Sequence, residues 1–298
     1  MLVTADRVFG GHLYVRNGKI AAISDDGTLP AREELDAAGL YVLPGMLDCH
    51  AHINDPGFTW REDLPHASEA AAVGGVTTLI DMPLQNTPPL TSADAFANKL
   101  AVFEGRSLVD YALWGGLVTD NAAELAGMEA AGAVGFKAFI APVSLGYSSV
   151  DMGLAREALF RIKAFGGLAG FHCEDHALIC AGEAKAKAGG GTRRAFLDSR
   201  PVVAEVIATA NVIELARETG ARVHICHVSH PRVAELVRRA QADGLSVTGE
   251  TCPHYLVFTE ENLLSCGTVF KCAPPLRTAE ARDGLWEYVL DGTLSCIG

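Results

Sequence analysis

The stretch that decides the fold is Tyr41-Val42-Leu43-Pro44-Gly45-Met46-Leu47-Asp48-Cys49-His50-Ala51-His52. It starts with an apolar run typical of a buried β-strand and ends with two histidines separated by one residue. Side chains two apart on a strand share a face, so His50 and His52 can reach one metal ion. A lone His-x-His is more often incidental than metal-binding, so the pair needs support from elsewhere in the chain.

Three further candidate ligands, Lys137, His172 and His227, also follow apolar segments. A lysine in a packed interior would lose its hydration or become a neutral amine, which can react with carbon dioxide to form a carbamate that bridges two cations. Alternatively, Lys137 extends to solvent and each histidine is a satisfied core residue. The recurrence of such residues near strand ends favours a metal site, and this ligand set suits zinc or a related divalent cation.

Composition limits the possible functions. The chain has 298 residues, 49% of them hydrophobic, and a net charge of −12, which opposes binding to nucleic acid or to an anionic membrane. The amino terminus lacks the basic and apolar regions of a secretion signal, and no segment is long and apolar enough to span a membrane. We therefore expect a cytoplasmic enzyme whose eight cysteines are reduced thiols.

The chain divides into two predicted domains. Residues 1–42 contain short β-like runs around the turn signal Asn17-Gly18, which predicts a small β unit. Residues 43–298 alternate strand-like and helical segments, which predicts a (β/α)₈ barrel with its active site at the carboxyl ends of the strands. The eight predicted barrel strands are 43–52, 76–82, 109–115, 134–140, 168–173, 222–228, 245–250 and 293–297.

Two local predictions follow from the same pattern. The polar, glycine-rich segment 183–200 interrupts the alternation and is predicted to be a long active-site loop. Cys173 and Cys226 each adjoin a candidate ligand, so strand alternation predicts that both thiols face away from the barrel lumen and pack under helices.

The segment from Gly45 to His52 resembles the signature of the cyclic amidohydrolases, the family of dihydroorotases, hydantoinases and allantoinases. Further matches cover nearly the whole chain: Gly74-Gly75-Val76-Thr77-Thr78, Phe136-Lys137, His172-Cys173-Glu174, Ser199-Arg200-Pro201, Cys226-His227-Val228-Ser229, Glu250-Thr251-Cys252-Pro253-His254-Tyr255 and Lys271-Cys272-Ala273-Pro274-Pro275-Leu276-Arg277. The resemblance implies a barrel flanked by a β-sandwich built from both chain ends, and a homotetramer. It also implies two divalent cations, with His50 and His52 on the first, His172 and His227 on the second, and carboxylated Lys137 bridging them.

Within that family, Asp81-Met82-Pro83-Leu84-Gln85-Asn86 resembles the allantoinase segment, which implies conversion of allantoin, a small cyclic ureide, to allantoate in purine catabolism. Asn54 stands where dihydroorotases usually carry a substrate-binding arginine, and Pro142 where hydantoinases usually carry a tyrosine, with Tyr147 nearby. Hydantoinase, dihydropyrimidinase or dihydroorotase activity, or a catalytically inactive scaffold of this family, remain alternatives. Asn54, Asn86 and Ala273 are the predicted substrate contacts.

The family pattern also predicts what should follow Gly298, the last residue of the predicted eighth strand. Relatives continue there with Ser-Asp-His, and that aspartate is the expected metal ligand and general acid/base. We therefore expect a chain truncated at its carboxyl end, without this aspartate, the last barrel helix and the returning part of the β-sandwich, and catalysis by the truncated chain alone is in doubt.

Overall fold

The computed structural model describes residues 1–143 and 146–298, which form two compact units, Met1–Met46 and Leu47–Gly298. The first unit consists of two antiparallel strand pairs. Asn17 and Gly18 connect the second pair with left-handed φ values of 52° and 71°, as a two-residue hairpin turn requires. The pairs are β1 (Leu2–Val3) with β2 (Val8–Phe9) and β3 (His12–Arg16) with β4 (Lys19–Ser24).

The second unit is a barrel of parallel strands that follow one another in sequence order, in two hydrogen-bonded runs, β5 to β7 and β8 to β13. Its strands are β5 (Met46–Ala51), β6 (Val76–Asp81), β7 (Asp110–Leu113), β8 (Gly115–Gly116), β9 (Phe136–Phe139), β10 (Leu168–His172), β11 (Arg222–Ile225), β12 (Val247–Thr251) and β13 (Cys296–Ile297).

Strands β7 and β8 together form one barrel strand. Its hydrogen-bonded neighbour changes at Trp114, from β6 before this residue to β9 after it. The Trp114 amide donates to the Asp81 carbonyl at 2.9 Å, and the Gly115 amide donates to the Gly135 carbonyl at 2.8 Å. The eight predicted strand positions are therefore all occupied, and the predicted barrel is confirmed.

Helices cover the barrel and bury the apolar faces that they share with the strands. Most begin at a side chain that accepts a hydrogen bond from a free amide of the first turn, as Ser92 does for Ala95. They are α1 (Leu64–Val73), α2 (Ala93–Phe103), α3 (Leu125–Ala130), α4 (Met152–Ala164), α5 (His176–Ala188), α6 (Arg193–Asp198), α7 (Val202–Thr219), α8 (Pro231–Ala242), α9 (Pro253–Val257), α10 (Glu260–Cys266) and α11 (Ala279–Leu290). No described helix is both long and apolar enough to cross a membrane.

The prediction that 183–200 forms a long loop is wrong, because α5 and α6 occupy most of it. Lys185 and Lys187 lie in the last turn of α5, where their positive charge interacts favourably with the negative end of the helix dipole. Thr192 then accepts a hydrogen bond from the Ala195 amide and starts α6. The three glycines at 189–191 separate two helices, and the charges that suggested a loop are helix-end residues.

Candidate metal centre

The five candidate ligands lie on four barrel strands or just beyond them. His50 is in β5 and His52 follows it; Lys137 is in β9, and His172 is the last residue of β10. His227 lies two residues beyond β11. Because the strands are parallel, these positions converge at one end of the barrel.

The side chains meet there. The His50 ring centroid lies 5.3 Å from that of His52 and 5.4 Å from that of His227. The Nε2 atom of His227 is 3.4 Å from the Lys137 Nζ atom and 3.2 Å from the Nδ1 atom of His172. The structure therefore places all five predicted ligands in one cluster.

The cluster has the chemistry of a cation site. Burial lowers the pKa of His52 to about 3 and that of His227 well below its usual range, so both rings are neutral and offer lone pairs. Their Nδ1 atoms are buried and have no hydrogen-bond partner within residues 1–143 and 146–298. Neutral buried imidazoles with unused nitrogens fit a divalent cation of the zinc class.

Strand alternation fails at His227. This residue has a left-handed φ of 43°, which is uncommon outside glycine and departs from the extended backbone that strand alternation requires. As a result the prediction that Cys226 faces away from the barrel lumen is wrong. Its Sγ atom lies within 4.8 Å of side-chain atoms of His50 and Glu250 that could bind a metal ion. The prediction for Cys173 is confirmed, because this thiol packs in the core beside Thr209 of α7.

Residues 39–232 match the family model described as dihydro-orotase-like. The chain belongs to the dihydro-orotase-like family. An allantoinase of Streptomyces avermitilis is 40% identical over 99% of this chain and 66% of its own length, and one of Escherichia coli K12 is 38% identical over 96% and 64%. The L-hydantoinase structure from Arthrobacter aurescens, 38% identical, matches with a TM-score of 0.94 over all of this chain and 66% of its own. This dihydro-orotase-like chain thus spans about two thirds of the length of these relatives.

A residue of this dihydro-orotase-like barrel that sequence reasoning left without a role is Glu250 of β12, only 1% exposed. One of its carboxylate oxygens contacts His50 Nδ1 and accepts the His227 backbone amide at 3.2 Å. Burial by itself raises the Glu250 pKa, but hydrogen bonds from His224 and His50 outweigh it, and the pKa falls well below its usual value. The available signal was a carboxylate within a predicted barrel strand, which implies a buried partner.

A second missed group holds His172. Its Nε2 atom lies 2.7 Å from Glu174 Oε2, which also accepts from the Arg200 guanidinium at 2.9 Å. Arg277 donates to the Arg200 carbonyl at 2.7 Å and pairs with Glu205 at 3.2 Å. Glu174 and Arg200 stand in motifs that were matched to the family without a role for either residue.

The three predicted substrate contacts lie in different surroundings. Asn54 is buried, and its Oδ1 atom has no hydrogen-bond partner in the described part of the chain. Asn86 is also buried, but its Oδ1 accepts from Lys99 Nζ at 2.6 Å, and Ala273 is exposed. Tyr147, the residue noted near the position of the hydantoinase tyrosine, is buried and donates to the Lys137 carbonyl at 2.5 Å.

Proposed function

We propose that this protein opens the ring of a cyclic ureide by hydrolysing an amide bond, with allantoin converted to allantoate. The observation that carries the proposal is the convergence of His50, His52, Lys137, His172 and His227 in one cluster. The allantoinase relatives at 36–40% identity support allantoin as the substrate. The likeness to the Arthrobacter L-hydantoinase, at 38% identity, supports hydantoin hydrolysis as the second candidate.

In this proposal two divalent cations, zinc by preference, occupy the cluster. His50 and His52 would hold one and His172 and His227 the other, with Lys137 between them as a carbamate. The carbamate forms when the neutral amine adds carbon dioxide through a new N–C bond and releases one proton. When bound, the cations would polarise the ring carbonyl and make a water molecule more acidic.

The protein's own residues hold this arrangement in place. The Glu250 carboxylate fixes the His50 ring and Glu174 fixes the His172 ring, so the free nitrogen of each ring keeps its direction. The unpaired Asn54 oxygen offers an acceptor for an N–H group of the substrate ring. The aspartate expected after residue 298 would take the proton from water and pass it to the leaving nitrogen.

We also propose a cytoplasmic homotetramer that acts in purine catabolism and binds neither nucleic acid nor membrane. The net charge of −12 supports the exclusion of these two partners. A catalytically inactive scaffold is the weaker alternative, because it would have no use for five ligand residues in one cluster, three of them buried.

Metal analysis of Lys137→Ala tests the proposed centre. We expect two equivalents of divalent cation in the parent chain and a large loss in the variant, because the bridge between the two cations disappears. Lys187→Ala is the matched control, since the Lys187 side chain is 82% exposed. Full metal content in Lys137→Ala would refute the bridging role.

Parallel hydrolysis assays with allantoin, hydantoin and dihydroorotate test the substrate. We expect allantoin to be preferred by a chain that includes the expected Ser-Asp-His segment, and activity to fall when that aspartate is replaced by asparagine. A preference for dihydroorotate would show that our interpretation of Asn54 is wrong.

A further inference from the structure

Three side chains with metal-binding atoms meet at the first strand and the last two strands of the barrel: Cys49 of β5, Glu250 of β12 and Cys296 of β13. His224 of β11 contacts Glu250 beside them. Glu250 Oε2 lies 3.4 Å from Cys49 Sγ and 3.4 Å from His224 Nε2. The atoms of Cys49, Glu250 and Cys296 that could bind a metal ion all lie within 4.8 Å of one another. None of these residues has a part in ring opening except Glu250, which reaches His50 through its other oxygen.

His224 positions the Glu250 carboxylate at this cluster. Its Nδ1 atom is 2.8 Å from the Thr248 hydroxyl, and its Nε2 atom is 3.4 Å from Glu250 Oε2. Glu250 Oε2 also accepts a hydrogen bond from the Cys49 thiol, so this oxygen is held toward the two sulfur atoms.

The spacing suits a tetrahedral cation. With metal–sulfur distances of about 2.3 Å and metal–nitrogen or metal–oxygen distances of about 2.0 Å, neighbouring ligand atoms stand roughly 3.3–3.8 Å apart. The separation of 3.4 Å between Cys49 Sγ and Glu250 Oε2 falls in that range, and the three ligand atoms all lie within 4.8 Å of one another. His224 holds the Glu250 carboxylate, as the outer partners of metal ligands usually do.

We propose that Cys49, Cys296 and Glu250 form a binding site for one thiophilic divalent cation, of the zinc or cadmium class, with His224 as the outer partner of Glu250. Binding converts the two thiols to thiolates, forms two metal–sulfur bonds and releases two protons to solvent, with no change of oxidation state. The site shares no ligand with the proposed catalytic centre, and Glu250 joins them through separate oxygens. A cation bound at this site would therefore affect Glu250, the side chain that orients His50.

Titration of the whole chain with cadmium alone, without oxygen, tests the assignment through the sulfur-to-cadmium absorption band. We expect the band to saturate in the parent chain and to lose about half of its amplitude in Cys49→Ser and in Cys296→Ser, since each removes one of two thiolates. The double variant should lack it. The matched control is Cys180→Ser with Cys266→Ser, because both of these thiols are exposed elsewhere in the chain. A band that survives in the double variant, or that disappears only in Cys226→Ser, overturns the proposal.

A second measurement needs no variant. Cadmium should slow alkylation of Cys49 and Cys296 at least tenfold in the parent chain while Cys180 and Cys266 react at unchanged rates, as peptide mass spectrometry would show. Equal alkylation rates with and without cadmium contradict the site. So does a Cys49–Cys296 disulfide that forms in place of cadmium binding, visible as the loss of two hydrogen masses.

Discussion

One buried ionic network lies beside His52 and another beside His172, and the two differ in how their charges are shared. In the first, Lys99 of α2 is fully buried and contacts a single carboxylate, that of Asp81. Its other partners are neutral: the Asn86 side-chain oxygen at 2.6 Å and the Ile53 carbonyl at 3.0 Å. Since Ile53 directly follows His52, this lysine ties the end of β5 to α2.

In the second network each carboxylate has several donors. Glu174 contacts His172 and accepts a hydrogen bond from Arg200. Glu205 accepts hydrogen bonds from the amide and hydroxyl of Ser229 and from the guanidinium of Arg277. Burial raises the pKa of Glu174, but its two partners outweigh that effect and lower it overall. Burial prevails at Glu205, whose pKa is raised despite Arg277 and Ser229, and at Asp81, whose pKa rises to about 6 despite Lys99 and the Ile53 amide. Among these three carboxylates, only Glu174 has partners that outweigh burial.

The largest expected effect comes from Lys99→Met, which removes the only cation that contacts Asp81 in the described structure. We expect the free energy of unfolding to fall by about 3–5 kcal/mol, because a buried carboxylate is left uncompensated. Urea denaturation would measure the loss, with Lys187→Met as the exposed control. The double variant Asp81→Asn with Lys99→Met should recover part of it, and a single-variant loss of under about 1 kcal/mol would contradict the comparison.

The pH dependence of stability should show the raised pKa of Asp81. Between its ordinary value of 3.8 and about 6, the folded chain holds the Asp81 proton while the unfolded chain releases it. This contribution is therefore complete below about 3.8 and is lost as the pH rises through about 6. The difference between these two pKa values limits the contribution to about 3 kcal/mol, at about 1.36 kcal/mol per unit.

Urea denaturation from pH 4 to 7 would compare the parent chain with Asp81→Asn, which cannot titrate at this position. The difference in unfolding free energy between the two should change with pH in the direction just given. A pH-independent difference would show that Asp81 does not titrate in this range.

Arg200→Met should have a smaller effect on stability, about 1–3 kcal/mol, because Glu174 keeps its contact with His172. The same variant loosens the carboxylate that orients His172, so affinity for divalent cations should fall about 10- to 100-fold. Denaturation and metal titration would measure these two effects separately. If Arg200→Met lowers the free energy of unfolding as much as Lys99→Met does, the distinction between Glu174, whose partners outweigh burial, and Asp81, where burial prevails, is wrong.

The sequence predicted the barrel and its convergent ligands because both depend on local patterns. Alternating strands and helices set the order of the barrel, and His50 and His52 share a face by strand geometry alone. Lys99, Arg200 and Glu250 were not assigned roles, since a charged residue in a helix or strand does not reveal which distant side chain will neutralise it. The orientation of Cys226 was missed because the left-handed backbone at His227 ends the alternation on which that prediction relied.

Asn86→Ala should have the smallest effect of these four predictions. It tests whether Asn86 supports Lys99 or contacts the substrate. Lys99 would keep Asp81 and the Ile53 carbonyl, so we expect a loss of only about 1 kcal/mol in unfolding free energy. Asn54→Ala is the matched control: Asn54 is also buried, yet its Oδ1 has no partner among the described residues, so its loss should cost less stability. Asn54→Ala should instead weaken substrate binding, measurable as a higher KM for allantoin in a catalytically competent chain. If Asn86→Ala raises KM without lowering stability, Asn86 contacts substrate and its bond to Lys99 is incidental.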